Sequence, residues 1–299
     1  RVDSWKFTTL SGTEKQVWHL PANEGSVDPA LLSAACLAGL ETYRLVFVNG
    51  RFDAAASKLK GLPAGVELHP LSSSSDVAEA LGDVVEGRDT VLGSLNAALA
   101  SDGVVLQIAD GVVLDRPIEI VAFGAPALVN LRHAIRLGHN AKAVLVESYR
   151  DGGHGAQPGW SNIFAGVELG EGAQLIHLRL QDESAKAWHA ALARVSVGAT
   201  ARYAHVSVQA GGAVAGHELH IVIVGSGAEI DVQGLVLARG SSHIDHTLRL
   251  THAVPDCRSN QLFKHVVDDR GHAVFQGGIC VAKDAQKTDA QQLSRTLLL

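Results

Sequence analysis

The sequence predicts a mainly β protein: a right-handed parallel β-helix preceded by a small α+β, partly helical N-terminal region. A Gly-x-x-Ala-x turn recurs at Gly138, Gly170, Gly198 and Gly225, with spacings of 32, 28 and 27 residues. From about Gly103 onward, short β-prone runs alternate with Gly, Asn and Asp, and no amphipathic helix intervenes. Stacked coils need such a period because each turn must lie over the turn below it. The right hand follows from the crossover rule for parallel strands.

Residues 1–102 form the predicted N-terminal region. Its first helix runs from Ala30 to Leu40, with Asp28 as the N-cap and Pro29 at the first helical position. A strand beginning at Leu45 then ends in an Asn49-Gly50 turn, which is typical of a β-hairpin.

The second half of this region predicts two more helical segments. Ser72–Ser75 is a loop that leads into a helix with a capping pair, Asp76 and Glu79. Apolar residues between Arg88 and Ala100 have helical spacing.

Residues 103–299 form the predicted β-helix. Alternation in runs such as Ala191–Gly198 directs one set of side chains into the coil and the other outward. A sandwich or an up-and-down barrel is the alternative, but such folds favour strands about every 8–12 residues joined by hairpin dipeptides. After Gly103 only Asp110-Gly111 is such a dipeptide between two well-defined predicted strands, so the β-helix is favoured.

Composition limits the function. Hydrophobic residues make up 46% of the 299 residues and charged residues 19%, enough for a large core. The net charge of −6 disfavours nucleic acid and anionic membranes as partners. No run approaches the roughly 18–20 apolar residues of a membrane span, and the start lacks a signal-peptide core, which predicts a cytoplasmic protein. The chain has no methionine, so we expect the gene product to be longer.

The candidate metal ligands are His246, His252 and Cys257. They lie in a segment rich in histidine, and imidazole and thiolate suit iron or zinc. The alternative is that these histidines lie at the surface or cap the coils. Three dispersed cysteines cannot complete an ordinary cluster site, which takes about four thiolates. Cys36 is predicted to be a core residue, whereas Cys257 lies in a polar turn that predicts a more accessible thiol.

A carbohydrate-active β-helix enzyme with an Asp pair is the alternative function. The candidate carboxylates are Asp231, Asp245, Asp256, Asp268 and Asp269. Aromatic residues make up only 5% of the chain, which leaves little with which to build a sugar-stacking cleft.

Two regions resemble the SufB/SufD family of iron-sulfur cluster assembly proteins. The first runs from His246 to Lys264 and continues through Phe275-Gln276-Gly277 and 284–291 to Leu299. The second comprises Arg1–Leu10, with its Trp-Lys-Phe-Thr motif, and Val46–Gly50, and it resembles the SufD branch of the family.

The resemblance implies a scaffold subunit without catalytic activity of its own. It implies a heterodimer with SufB through the β-helix ends, and a SufC ATPase bound to a C-terminal helical region that would follow Leu299. The Fe-S cluster would be bound transiently in this complex, and reduced flavin is a further cofactor that the family suggests. Without SufB, the scaffold hypothesis predicts instability or self-association, for example as a homodimer.

The last coils should form the partner interface, because an uncapped β-helix end leaves backbone groups unpaired. The residues predicted there are Lys287, Thr288, Asp289, Gln291, Leu297, Leu298 and Leu299.

Overall fold

The predicted parallel β-helix is confirmed by a computed structural model, which describes residues 5–8, 16–21, 25–77, 90–153 and 157–299. Over these residues the chain forms a parallel β-solenoid of about 7 turns, with a few short helices near its N-terminus. The described helices are α1 (Pro29–Ala35), α2 (Val91–Leu99) and a 3-10 turn at Leu71–Ser73. None of them has the length and apolar character needed to cross a bilayer.

Two long sheets form the walls of the solenoid. Among the described residues the nine-stranded sheet contains, in spatial order, β2 (Arg51–Phe52), β1 (Tyr43–Val48), β5 (Ile118–Phe123), β7 (Lys142–Arg150), β9 (Gln174–Asp182), β11 (Arg202–Gln209), β13 (Glu229–Ala238), β15 (Arg258–Val267) and β17 (Asp289–Leu298). The eight-stranded sheet contains β3 (Val66–Pro70), β4 (Val104–Ile108), β6 (Leu128–Leu137), β8 (Trp160–Leu169), β10 (Trp188–Val197), β12 (Val214–Ile223), β14 (His243–His252) and β16 (His272–Val281). The chain alternates between the sheets, so each coil adds one strand to each.

Strand pairing is parallel throughout the coils. The exceptions among the described strands are the β1–β2 hairpin and the β3–β4 pair, which are antiparallel. Because β1 pairs in parallel with β5, the predicted N-terminal region contributes strands to the walls of the solenoid. The domain boundary at residue 102 stays a prediction.

The recurring turns form one corner of the solenoid. In each, the alanine is fully buried: Ala141, Ala173, Ala201 and Ala228. The residue before it has a left-handed backbone, as at Asn140 (φ 57°) and Thr200 (φ 55°). This conformation turns the chain sharply and sends the alanine inward, where only a small side chain fits between stacked corners. The repeat predicted from the sequence is therefore a structural repeat.

The N-terminal helix begins as predicted, since the Asp28 side chain caps the backbone N–H of Ala30 at 2.7 Å and Pro29 opens the helix. Its predicted end at Leu40 is wrong, because α1 stops at Ala35. The backbone N–H of Leu37 instead donates to the buried carboxylate of Glu119 at 2.7 Å, which draws the chain away from the helix axis.

The other N-terminal predictions have mixed outcomes. The strand and its Asn49-Gly50 turn are confirmed as the β1–β2 hairpin. The helix predicted before Ala100 is confirmed as α2, which the Thr90 side chain caps at its start. The helix predicted to follow Asp76 falls largely in 78–89, outside the described residues.

Two N-terminal segments cover the outer face of the eight-stranded sheet. The Asn96 side chain of α2 donates to the carbonyls of Leu131 (3.0 Å) and Asn162 (2.8 Å). Trp5 packs over Gly216, and the Thr8 hydroxyl contacts His243 and Asp245. Around the last coils, no described N-terminal segment covers the outer face of the nine-stranded sheet.

Candidate functional site

The last strand of the nine-stranded sheet, among the described residues, is β17. No other described strand covers its outer side, and every residue in it is exposed within the described part of the chain. Leu293, Leu297, Leu298 and Leu299 are 45%, 56%, 73% and 73% exposed. Apolar side chains therefore accompany an unpaired strand edge, a combination that favours association with another chain.

The register of β17 shows which backbone groups are free. The N–H of Asp289 donates to Cys257 and that of Leu299 to Val267, so the odd-numbered residues bond to β15. In a parallel ladder the alternate residues face the other neighbour. The N–H and C=O groups of the even-numbered residues, from Ala290 to Leu298, consequently face the outer edge of β17 and have no partner strand among the described residues.

The predicted interface residues all lie at the C-terminal end of the solenoid. Lys287 has a left-handed backbone (φ 58°), and its ammonium lies 3.7 Å from the Asp256 carboxylate. The Thr288 hydroxyl donates to the carbonyl of Ala285 at 2.9 Å and closes the last turn. The remaining predicted residues, Asp289, Gln291, Leu297, Leu298 and Leu299, belong to β17 or follow it directly and are exposed. Whether a partner binds there stays a prediction.

The candidate metal ligands are not brought together. His246 and His252 both point into the solenoid, but they lie six residues apart on β14, a separation of about 20 Å at the usual rise of a strand. His252 bonds to the Ser259 hydroxyl at 3.0 Å. Within the described part of the chain, no three His, Cys, Asp or Glu side chains are placed to hold a metal ion. The metal role of these residues stays a prediction without geometric support.

The predicted accessibility of Cys257 is wrong. Its side chain is fully buried and occupies the corner position that Ala228 holds in the coil below. The thiol lies 3.2 Å from the carbonyl of Pro255 and 3.6 Å from that of Gly225. Polar neighbours in sequence suggested exposure, but the corner repeat turns this residue inward. Cys280 is exposed. Cys36, predicted to be a core residue, is only partly buried and packs against a small cluster that contains Val46 and Val48.

A column of buried polar side chains runs along the inside of the solenoid. Its members are at most 7% exposed and all but Glu183, which directly follows β9, lie at inward positions of their strands. They are Glu147, Tyr149, His177, Arg179, Gln181, Glu183, His189, Tyr203, His205, Gln209, His217, His246, Gln261 and His265. The other half of the cross-section is filled by Ala, Val, Leu and Ile. The interior is thus divided lengthwise into an apolar half and a polar half.

The charged part of the column lies in the middle coils. Glu147 accepts hydrogen bonds from His177 (3.1 Å) and from the Tyr149 hydroxyl (2.9 Å), and Arg179 lies 3.6 Å away. Burial alone would raise the pKa of Glu147, but the charges of His177, His133 and Arg179 outweigh it and hold that pKa well below its ordinary value. The carboxylate is therefore ionised inside the core.

A second buried carboxylate lies beside the first. Glu183 is 2.7 Å from His189 Nδ1 and accepts the Ser161 hydroxyl at 2.6 Å. Burial opposes ionisation here too, but these two partners lower the pKa of Glu183 overall. Arg179 contacts His189 on its other nitrogen, which links the two carboxylate groups.

Further along the column the rings contact one another. Ring centroids are 4.9 Å apart for His177 and His205, 5.5 Å for His205 and His217, and 4.9 Å for His217 and His246. Burial, strengthened by Arg179 and by neighbouring histidines, lowers the pKa of His205 and His217 well below 6.5 and that of His246 to about 3. These rings are neutral at physiological pH.

Several atoms in the column have no hydrogen-bond partner among the described residues. They include Nε2 of His205, both ring nitrogens of His217, Nε2 of His246 and the Gln209 amide nitrogen. An unpaired buried polar group costs about 1–3 kcal/mol, so ordered water or a polar ligand is the usual partner. Phe263 and Phe275 close the column towards the C-terminal end.

Most of this column was missed by the sequence analysis, although the signal was available. The buried alanine of each corner turn sets the inward phase of the following strand. Counting by twos from Ala173 gives Leu175, His177, Arg179 and Gln181 as inward residues. Polar residues at inward positions are uncommon, so this pattern indicates a polar cluster inside the solenoid.

Comparison with known proteins identifies related chains. The family description "SUF system FeS cluster assembly, SufBD core domain" matches residues 121–299, and "SufBD protein N-terminal region" matches 2–120. An iron-sulfur cluster assembly SufBD family protein of Synechocystis is 30% identical over all of this chain and 69% of its own length. The iron-sulfur cluster assembly protein SufD of Escherichia coli is 28% identical over 99% of this chain and 69% of its own. A SufBD family protein of Mycobacterium tuberculosis is 28% identical over 59% of this chain and 44% of its own.

Proposed function

This chain belongs to the SufBD family of iron-sulfur cluster assembly proteins, and we propose that it is the SufD-type scaffold subunit that pairs with SufB through the C-terminal end of its solenoid. The observation that carries the proposal is β17, an exposed strand that pairs with β15 on one side, has no described strand on the other, and carries exposed leucines. In this role the chain contributes a rigid surface and no catalytic group.

Edge pairing suits the geometry of the last coil. The free N–H and C=O groups of even-numbered β17 residues offer a ladder to a second strand, and β16 offers a second edge on the other wall. A SufB solenoid end with the same construction would extend both sheets at once. The exposed leucines beside the edge would be buried by the same contact, which adds apolar stabilisation.

The remaining partners follow from the family. The SufC ATPase is the proposed partner of the assembled pair, and the Fe-S cluster is its cargo, bound transiently in the complex. Reduced flavin, which the family resemblance suggests, stays a proposed cofactor of the assembled complex.

A proline in β17 tests the pairing directly. Ser294 is an even-numbered residue whose N–H faces the outer edge of β17, so Ser294→Pro removes a donor from the edge and no bond from the native ladder. We expect this variant to lose co-purification with SufB from the same source. The measurement is affinity capture of the co-expressed pair followed by size-exclusion chromatography.

The matched control is Ser294→Ala, which keeps the backbone donor at the same position. It should retain SufB, and both variants should melt within a few degrees of the parent. Without SufB, the same edge should form a homodimer that Ser294→Pro abolishes. Undiminished capture of SufB by a folded Ser294→Pro protein would reject pairing through β17.

A carbohydrate-active enzyme receives no support from the arrangement. Asp231 and Asp245 face outward from different sheets, and Asp245 is buried by its contacts with Thr8 and Thr247. The other three carboxylates, Asp256, Asp268 and Asp269, are exposed and lie in turns.

A further inference from the structure

We propose that Glu147, His177, Tyr203 and His205 form a proton relay inside the solenoid. The protonation state of the Glu147–His177 pair then determines whether Nε2 of His205 carries a proton. The four side chains are at most 2% exposed and lie on the neighbouring strands β7, β9 and β11. His177 Nε2 is 3.1 Å from the Glu147 carboxylate, His177 Nδ1 is 3.0 Å from the Tyr203 hydroxyl, and that hydroxyl is 3.3 Å from His205 Nδ1.

The hydrogen-bonding capacity of these groups determines which one donates and which one accepts in each bond of the relay. With His177 protonated, both of its nitrogens donate: one to Glu147 and one to the Tyr203 oxygen. The Tyr203 hydroxyl must then donate to His205 Nδ1, and a neutral His205 carries its own proton on Nε2. His205 Nε2 is a hydrogen-bond donor in this state.

Removal of the proton from His177 reverses both hydrogen bonds of the Tyr203 hydroxyl. His177 keeps its N–H towards Glu147 and presents a bare Nδ1, which accepts from the Tyr203 hydroxyl. The Tyr203 oxygen now accepts from His205 Nδ1–H, which leaves Nε2 bare. His205 Nε2 is an acceptor in this state, although no side chain has moved.

The relay also connects the two states by proton transfer. The Nδ1–H proton of His177 passes to the Tyr203 oxygen, the original hydroxyl proton passes to His205 Nδ1, and the Nε2–H proton of His205 passes to a water molecule on its far side. One proton leaves His177 and one reaches the water, with no change of oxidation state. Tyr203 ends as a neutral hydroxyl, so no tyrosinate is left in the buried site.

Charged and titratable groups surround the Glu147–His177 pair. The ionisable groups facing the pair are Tyr149 on β7, Arg179 on β9, Tyr203 and His205 on β11, His133 on β6 and His189 on β10. Arg179 stays charged at all relevant pH values and cannot pass a proton on. The Glu147 carboxylate, at 3.1 Å, is the group that stabilises a charged His177.

The far end of the relay faces unpaired groups. His205 Nε2 and both nitrogens of His217 have no hydrogen-bond partner among the described residues, and the two rings are 5.5 Å apart. Buried polar atoms of this kind are normally satisfied by ordered water. The state of Glu147–His177 thus decides whether such a water meets a donor or an acceptor at His205.

Nitrogen-15 NMR of the isolated, folded chain tests the relay, because it distinguishes protonated from bare ring nitrogens. In the parent protein we expect His177 to be doubly protonated and His205 to carry its proton on Nε2. Glu147→Gln removes the charge that stabilises the cation. The expected result is a neutral His177 and a switch of His205 to the Nδ1–H form.

Tyr203→Phe breaks the relay while keeping the ring. In the Tyr203→Phe background, Glu147→Gln should leave the His205 tautomer unchanged. Tyr43→Phe is the matched control, because the Tyr43 hydroxyl bonds to Gly61 and Asp115 outside the relay. The relay is rejected if Glu147→Gln leaves the His205 tautomer unchanged. It is also rejected if Glu147→Gln changes that tautomer equally in the parent and in the Tyr203→Phe background.

A second measurement covers the case in which Glu147→Gln does not fold. In the parent protein the Tyr203 hydroxyl proton should exchange slowly with solvent and show cross-relaxation to the rings of both His177 and His205. Tyr203→Phe should abolish this resonance and Tyr43→Phe should keep it. A hydroxyl proton in contact with only one of the two rings would overturn the relay.

Discussion

At the scale of single residues, the burial of a side chain depends more on its position in the coil than on the polarity of its neighbours in sequence. Cys257 is preceded by Pro255 and Asp256 and followed by Arg258, a polar context, yet its side chain fills the buried corner. Asp256 has a left-handed backbone (φ 60°), as the equivalent residues of the other corner turns do. The geometry of the corner therefore decides the environment of the thiol.

The burial of Cys257 predicts selective thiol chemistry. In the native protein a thiol reagent should modify Cys280, which is exposed, and should leave Cys257 unmodified until unfolding. Mass spectrometry after timed labelling measures this difference. Cys280→Ser should abolish the rapid phase, and rapid labelling of Cys257 in that variant would contradict the corner assignment.

At the scale of elements, the first glycine of the Gly-x-x-Ala turn leaves little room for added atoms. A Cβ at Gly225 would overlap the backbone of Ala199 in the coil below. In contrast, Gly278 on β16 has its nearest neighbour, the Leu248 carbonyl, 4.0 Å from such a Cβ. The same glycine-to-alanine change is therefore expected to differ in effect between corner and wall.

Gly225→Ala should destabilise the protein by about 1–3 kcal/mol, the usual cost of forcing atoms into a packed region. Gly278→Ala should change stability by less than about 0.5 kcal/mol, as for other exposed substitutions. Urea unfolding followed by circular dichroism provides the two free energies. Equal effects of the two substitutions would show that coil stacking is looser than the structure indicates.

At the scale of the whole molecule, the polar column makes stability depend on pH. Unfolded histidines bind protons as the pH falls through about 6.5, whereas burial lowers the pKa of His205, His217 and His246 in the folded protein. The unfolded state binds more protons below that pH, so the folded state loses stability on acidification. Glu147 and Glu183 act in the same direction below about pH 4.5, since their folded pKa values are lowered.

The free energy of unfolding should therefore fall between pH 6.5 and pH 5, with each buried histidine contributing up to about 1.4 kcal/mol per pH unit. His217→Leu should reduce this slope, and His139→Gln, at an exposed turn, should leave it unchanged. Urea titrations at pH 8, 6.5, 5.5 and 5 measure the slopes. An unaltered slope for His217→Leu would indicate that this ring is protonated in the folded state.

The sequence by itself determined the repeat and therefore the fold. Gly-x-x-Ala turns at intervals of 27 to 32 residues favour stacked coils over a sandwich or a barrel, and the two family-like segments indicated the same class of protein. The hairpin at Asn49-Gly50 and the start of α1 were also predictable, because local turn and capping chemistry decides them.

Only the tertiary structure decided which polar residues meet. His177, Tyr203 and His205 are separated by up to 28 residues in the chain, and the register between β9 and β11 alone brings them together. Likewise α1 ends early because Glu119, 82 residues away, captures the backbone of Leu37. Parallel stacking places side chains from successive coils in line, so contacts that depend on register are absent from any single stretch of sequence.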